Sequence, residues 1–284
     1  MELTSPSVIR ALMSEAGITF RKEFGQNFLI NRDVVERIAD AAAESPDTLV
    51  LEIGPGIGTL TQKLCERYAR VVAIEIDRGL IPILGRTLSD YDNVTVIEGD
   101  VMKVDLARII AEQAGGRPVA VCANLPYYIT TPILMRLLEL GLPLTSITIM
   151  IQTEVAERFA APAGSAEYGA ITASSSYYAK IEKIFNVSPA NFIPPPKVTS
   201  SVIRMNVYKT PPVNCENEEN LFRVIRGAFA KRRKTLSNSL AGETSRHTKS
   251  QIENVLVSLG YRADVRGETL GLADFARISD ALEL

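Results

Sequence analysis

Along the first 160 residues, short apolar runs alternate with stretches of helical spacing. Residues 48–54, TLVLEIG, form an apolar run closed by glycine and predict a strand. Residues 59–68, TLTQKLCERY, then place Leu60, Leu64 and Tyr68 on one helical face. The alternation repeats four times. Strands are predicted at 70–77 (RVVAIEID), 93–100 (NVTVIEGD), 117–124 (RPVAVCAN) and 144–152 (LTSITIMIQ), with helices at 80–89, 106–114, 131–140 and 153–160. Near-continuous apolar strands separated by helices imply βαβ units and a doubly wound, mostly parallel sheet covered on both faces.

After residue 180 the pattern changes. Residues 180–188 (KIEKIFNVS) and 200–208 (SSVIRMNVY) read as two further strands separated by PPPK, consistent with an antiparallel edge on the parallel sheet. The polar, Pro- and Asn-rich stretch 209–220 reads as a linker. Beyond it only helical patterns recur, at 221–230, 234–241, 250–260 and 272–283. The expected organisation is an α/β domain over 1–209 and a small all-helical domain over 210–284.

Three predicted strands end in residues able to recognise a nucleoside. Gly54, Gly56 and Gly58 in EIGPGIGTL allow a tight turn and close approach of backbone to a ligand. Their G-x-G-x-G spacing departs from the G-x-G-x-x-G of dinucleotide-binding folds; a glycine-rich turn by itself also serves tight packing. Glu75 closes the second strand, where an acid can accept from both ribose hydroxyls. Asp100 closes the third, placed either to accept from an adenine amine or to cap the following helix. All three fall on the carboxyl edge of the sheet. Without a G-x-x-x-x-G-K-[ST] loop or a basic clamp for pyrophosphate, the set describes a pocket for an adenosine with a free ribose diol. S-adenosylmethionine fits it better than NAD or ATP.

Composition narrows the picture. The chain of 284 residues is 46% hydrophobic and 23% charged, with a net charge of −2 and one histidine, His247, in a polar stretch. A His-rich metal site is thereby excluded and a Ser-His-Asp triad nearly so. Cys65, Cys122 and Cys215 are odd in number and far apart, which fits a reducing cytoplasm better than a disulfide framework. No apolar run is long enough to span a bilayer, and the N-terminus lacks a signal-peptide pattern. A cytoplasmic protein is expected.

The fourth strand runs into NLPYYI, residues 124–129. An adenine amine is a poor nucleophile because its lone pair is delocalised into the ring. Two acceptors holding its protons localise that lone pair. The Asn124 side-chain oxygen and the Leu125 carbonyl, fixed by Pro126, are candidates, with Tyr127 stacking on the base. The competing reading is a strand-to-loop turn whose tyrosines fill core space, and this reading is preferred for Tyr128.

The order and spacing of FGQNFLI, EIGPGIGTLT, IEID, EGD, NLPYYI, FIPPPKVTSSVIRM, FAKRRKTLSNSL and GETLGLADFARISDAL resemble the rRNA adenine dimethyltransferases of the KsgA type over nearly the whole chain. The resemblance implies a Rossmann-like class I methyltransferase domain and a helical RNA-binding domain. It also implies S-adenosylmethionine as cofactor, and contacts to it from Gln26, Asn27, Leu29, Gly54, Glu75, Ile76, Asp100 and Asn124. Asn124, Leu125, Pro126 and Tyr127 would handle the target base, and Phe192 would form the second face of a stacking pair; read alone, Phe192 is more often a core residue. The rigid Pro194–Pro195–Pro196 run beside it favours a fixed loop position. The implied reaction is dimethylation of two adjacent adenosines in a 3′-terminal hairpin of 16S rRNA. The implied partner is an immature small ribosomal subunit, with no membrane, no metal and a monomeric enzyme.

The densest basic cluster, Lys231, Arg232, Arg233 and Lys234, follows Arg223 and Arg226 at helical spacing and forms an expected RNA-contacting stripe; a solvated helix face is the plainer reading. Ser237 stands where the family usually carries another arginine. Three other readings are a large-subunit rRNA adenine methyltransferase, a non-catalytic assembly factor, and an NAD-linked dehydrogenase, the last disfavoured by the glycine spacing.

Overall fold

The computed structural model describes residues 1–17, 27–231, 233–243, 246–282 and 284. Its strands are β1 (Phe28–Leu29), β2 (Leu49–Ile53), β3 (Arg70–Glu75), β4 (Val94–Glu98), β5 (Val119–Asn124), β6 (Leu144–Gln152), β7 (Ala179–Val187), β8 (Phe192–Ile193) and β9 (Ser200–Val207). The helices are α1 (Pro6–Glu15), α2 (Arg32–Asp40), α3 (Thr59–Arg67), α4 (Ile81–Thr87), α5 (Leu106–Gln113), α6 (Thr130–Glu139), α7 (Thr153–Phe159), α8 (Ala170–Tyr178), α9 (Glu218–Phe229), α10 (Leu236–Leu240), α11 (Lys249–Ser258) and α12 (Leu272–Ala281).

Seven strands form one sheet in the order β4-β3-β2-β5-β6-β9-β7, and β1 pairs with β8 separately. Strands β2 to β6 are parallel to their neighbours, and β9 joins β6 antiparallel. The architecture is a Rossmann-like mixed α/β fold with a smaller helical unit, as the sequence pattern implies. The chain winds outward from β2 through β3 to β4, then returns to the other side of β2 as β5. This reversal opens a crevice beyond the carboxyl ends of β2 and β5, where ligands bind in open α/β sheets.

Burial explains why these runs are strands. All five residues of β2 are buried, and β3 is buried from Val71 to Glu75. The edge strand β4 is only partly covered and correspondingly less apolar. One core cluster joins Val34, Ile38, Leu64, Val71 and Val202 across one face of the sheet. Buried Ser146 and Thr148 donate to the Ala42 and Ala41 carbonyls at 2.8 Å each, which satisfies the backbone just beyond α2.

The chain divides into two compact units, Met1–Ala156 with Ile181–Val207, and Glu157–Lys180 with Tyr208–Leu284. This corrects the single boundary expected at 209–210. The second unit's core explains the difference. Tyr168 donates to the Leu270 carbonyl at 2.9 Å, Tyr177 meets Glu218 at 2.6 Å, and Tyr178 stacks on Phe222 with ring centroids 5.5 Å apart. The segment 157–180 therefore supplies aromatic core to helices that begin some forty residues later. Helices α1, α2 and α8 and the two-residue strands β1 and β8 are additional to the elements predicted from periodicity. Among the described residues no helix is long and apolar enough to cross a membrane.

Candidate functional site

A cavity of about 170 Å³ lies at the carboxyl ends of β2 to β5 within the first unit. Of the sequence-predicted cofactor and base-handling residues, it gathers Asn27, Leu29, Gly54, Glu75, Ile76, Asp100, Asn124, Leu125, Pro126, Tyr127 and Phe192. Gln26 lies outside the described residues.

The glycine loop is built for close approach. Gly54, Gly56 and Gly58 have φ of +70°, +62° and +92°, all in the left-handed region. A Cβ on Gly54 would meet no protein atom within 4 Å, whereas one on Gly56 would press on Phe28 Cε1 at 3.1 Å.

Glu75 ties this loop to the end of β3. Its Oε2 accepts from Gly56 N at 3.2 Å and its Oε1 from Asp77 N at 2.7 Å. Burial raises the pKa of this carboxyl, and the two backbone N–H donors oppose the rise. Each carboxylate oxygen carries a second lone pair for a ligand hydroxyl. Ile76, 55% exposed, offers an apolar surface beside it. Asp100 is not the cap of the following helix: α5 is capped by Asp105, whereas Asp100 Oδ1 accepts from Met102 N at 2.9 Å and closes a turn ahead of it. Asp100 also lines the cavity.

The base-handling end is equally fixed. Asn124 Nδ2 donates to the Asn27 carbonyl at 3.4 Å. A carbonyl only accepts, so this contact engages Nδ2 as the donor and leaves Oδ1 available as an acceptor on a residue that lines the cavity. Pro126 O accepts from Ile129 N at 3.2 Å and Thr130 Oγ1 at 3.1 Å, which closes the loop onto α6. The half-buried Tyr127 hydroxyl and Ser200 Oγ lie 2.7 Å apart, so a β9 residue holds the ring. Phe192 pairs with Leu29 across β8 and β1 and is only 3% exposed; it contributes to the core and to the cavity wall together. Tyr128 departs from expectation. Rather than filling core space it is 65% exposed at the cavity rim.

Periodicity alone passes over Glu52. It sits on β2, 1% exposed, with Oε2 unpaired and lining the cavity. Burial drives its pKa up to about 8, the hydroxyl of Thr61 on α3 opposes the rise, and Glu75 adds to it. Neither Glu52 Oε2 nor Thr61 Oγ1 completes a hydrogen bond in good geometry. An acid inside the apolar run LVLEI was the available signal. Asp77 and Phe28 also line the cavity, and Ser200 stands behind it; each lies within a quoted motif but was not singled out from it.

With Glu52, Glu75, Asp77 and Asp100 on its walls the cavity holds four carboxyl groups and, among the described residues, no lysine or arginine. That suits an adenosine carrying positive charge and opposes a pyrophosphate. Among the described residues no cluster of His, Cys, Asp and Glu could hold a metal ion.

In the second unit the described residues of the basic cluster, Lys231, Arg233 and Lys234, are not helical, contrary to the reading of the cluster as a helix face. α9 ends at Phe229 and α10 starts at Leu236 behind the Thr235 N-cap. Lys231, Arg233 and Lys234 lie exposed in the turn between, and Arg232 is outside the described residues. Arg226 is exposed on α9, whereas Arg223 is engaged by Glu219 and by the Leu284 carbonyl at 2.9 Å. Ser237 is fully buried and meets Glu253 at 3.2 Å, so the departure at this position is accommodated by packing.

The family model for ribosomal RNA adenine dimethylase matches residues 17–274. The chain is 47% identical to a ribosomal RNA small subunit methyltransferase A of Lachnoclostridium phytofermentans, over 99% of this chain and 98% of that one. It is 46% identical to the protein of the same name from Geobacillus kaustophilus, over 99% and 97%. Among solved structures it resembles a dimethyladenosine transferase from Plasmodium falciparum (TM-score 0.74, 26% identity, 88% of this chain and 95% of that one). It also resembles the 23S rRNA methyltransferase ErmE (TM-score 0.71, 26% identity, 91% and 100%). A sheet whose strand ends converge on an acidic, glycine-cradled cavity and a match spanning the chain lead to one conclusion: this protein belongs to the ribosomal RNA adenine dimethylase family.

Proposed function

We propose that this chain dimethylates the exocyclic amine of adenosine in 16S rRNA, at two adjacent positions of a 3′-terminal hairpin, using S-adenosylmethionine. It would act as a cytoplasmic monomer on immature small subunits. Support comes from the family, from relatives named for the small subunit, and above all from Asn124, which lines the cavity with Nδ2 donating to the Asn27 carbonyl and Oδ1 available as an acceptor.

When bound, S-adenosylmethionine supplies an electrophilic methyl group on a positively charged sulfur. Glu75 would hold the ribose diol, Ile76 the adenine face and Asp100 the adenine amine, with Gly54 admitting the ligand against the backbone. Asn124 Oδ1 and the Leu125 carbonyl would accept hydrogen bonds from the two N–H groups of the target amine and draw its lone pair out of the ring; once the N–CH₃ bond forms and the S–CH₃ bond breaks, one of those protons is released to solvent. Tyr127, tethered by Ser200, stacks on the extruded base. Stacking of about 1–3 kcal/mol per base is on the scale of the few kcal/mol that unstacking costs. Positioning accounts for the rest, since methyl transfer chiefly needs the acceptor held close and in line. The exposed Lys231, Arg233 and Lys234 and the helix-borne Arg226 would contact phosphates, and the same role is proposed for Arg232; Arg223, with two internal partners, would contribute less.

Transfer of labelled methyl groups from S-adenosylmethionine to immature 30S and to 50S particles, run side by side, tests this reading. Label on 16S rRNA is expected. Label confined to 23S rRNA would move the chain to a large-subunit activity, and no label on either would leave only an assembly role.

A further inference from the structure

Tyr128 is the one aromatic in NLPYYI that the proposed chemistry does not use. It is 65% exposed, far more than a tyrosine placed for packing, and it lines the rim of the cavity next to Tyr127. Its backbone does not wander: the turn around it is closed by Ile129 N and Thr130 Oγ1, both on the Pro126 carbonyl, and α6 begins two residues on. Its neighbour's hydroxyl is tied to Ser200, so the two rings have different tasks, one fixed into the site and one presented outward. A flat ring presented from a hydrogen-bonded turn at the mouth of a base-binding cavity has only two side-chain torsions to order on contact and suits an unpaired base.

We propose that Tyr128 is a positioning residue that stacks on the base next to the target adenosine, so that the rRNA is gripped by two successive bases. This rests on the rRNA methyltransferase reading above. Stacking of this kind corresponds to about 5- to 100-fold in binding.

The test is steady-state methylation of immature 30S subunits by wild type, Tyr128→Phe, Tyr128→Leu and Tyr128→Ala, with S-adenosylhomocysteine affinity and thermal midpoint measured on each. For Tyr128→Ala and Tyr128→Leu, kcat/KM is expected to fall about 5- to 100-fold. Tyr128→Phe should restore it, and cofactor-product affinity and midpoint should be unchanged throughout. Equal kcat/KM for Tyr128→Ala and wild type would overturn the inference. So would a loss in Tyr128→Phe as large as in Tyr128→Ala, or a loss of S-adenosylhomocysteine affinity, which would place the ring in the cofactor site. A wild-type protein that methylates no 30S particle would instead overturn the functional reading itself.

Discussion

Glu52→Gln isolates the cost of a buried carboxyl beneath the cofactor cavity. In the folded chain Glu52 titrates near 8 because burial disfavours its charge; its ordinary value is 4.5. Below pH 4.5 the carboxyl is protonated in both folded and unfolded chains. Between the two values the unfolded chain releases the proton while the folded chain keeps it, so stability falls as pH rises. Above pH 8 both forms are ionised and the loss is complete. Each pH unit in this window is worth about 1.4 kcal/mol, and the whole gap about 5 kcal/mol as a ceiling, since water entry and relaxation soften the penalty. Glutamine has a similar shape and no proton to lose. The stability of Glu52→Gln relative to wild type should therefore climb by about 1 kcal/mol per pH unit from pH 5.5 to 7.5. Because the chain has no tryptophan, far-UV circular dichroism during urea unfolding is the suitable readout, with titrating groups that do not interact with Glu52 cancelling in the difference. A wild-type-to-variant difference that stays constant with pH would refute the assignment of a neutral, buried Glu52.

Other outcomes follow from the site geometry. Asn124→Ala should keep S-adenosylhomocysteine affinity within a small factor while single-turnover methylation falls about 100-fold or more, the scale of removing one oriented polar group from a reacting centre; methylation at the wild-type rate would negate the role of Oδ1. Glu75→Ala removes the acceptor for Gly56 N and Asp77 N as well as for the ribose, and calorimetry should show S-adenosylhomocysteine binding weakened about 10-fold or more. Lys231→Ala with Arg233→Ala should lower the slope of log affinity for 30S particles against log salt by about one to two without altering cofactor binding.

The parallel sheet was legible because strands buried on both faces must be largely apolar, and β2, β3, β5 and β6 are, with Glu52, Ser146 and Thr148 among the buried polar exceptions. The positions of Gly54, Glu75, Asp100 and Asn124 followed, since residues that end adjacent parallel strands share one edge. What periodicity did not convey depends on partners distant in sequence. Helix α8 mixes Ala, Ser and Tyr without an apolar stripe, and its tyrosines find their partners at Glu218 and Phe222. Tyr128 looks like core by residue type and is exposed because the neighbouring turn points it outward. Glu52 was hidden in a run that otherwise reads as plain strand. The basic cluster read as helix because nothing in KRRK itself breaks one; the Thr235 cap, accepting from Asn238 N, sets the boundary.

A crystal structure of the protein with S-adenosylhomocysteine tests the central claim most directly. The account predicts the ribose diol on Glu75, the adenine between Ile76 and Asp100, and the sulfur turned toward Asn124. Ligand bound elsewhere, or bound with its ribose away from Glu75, would contradict it.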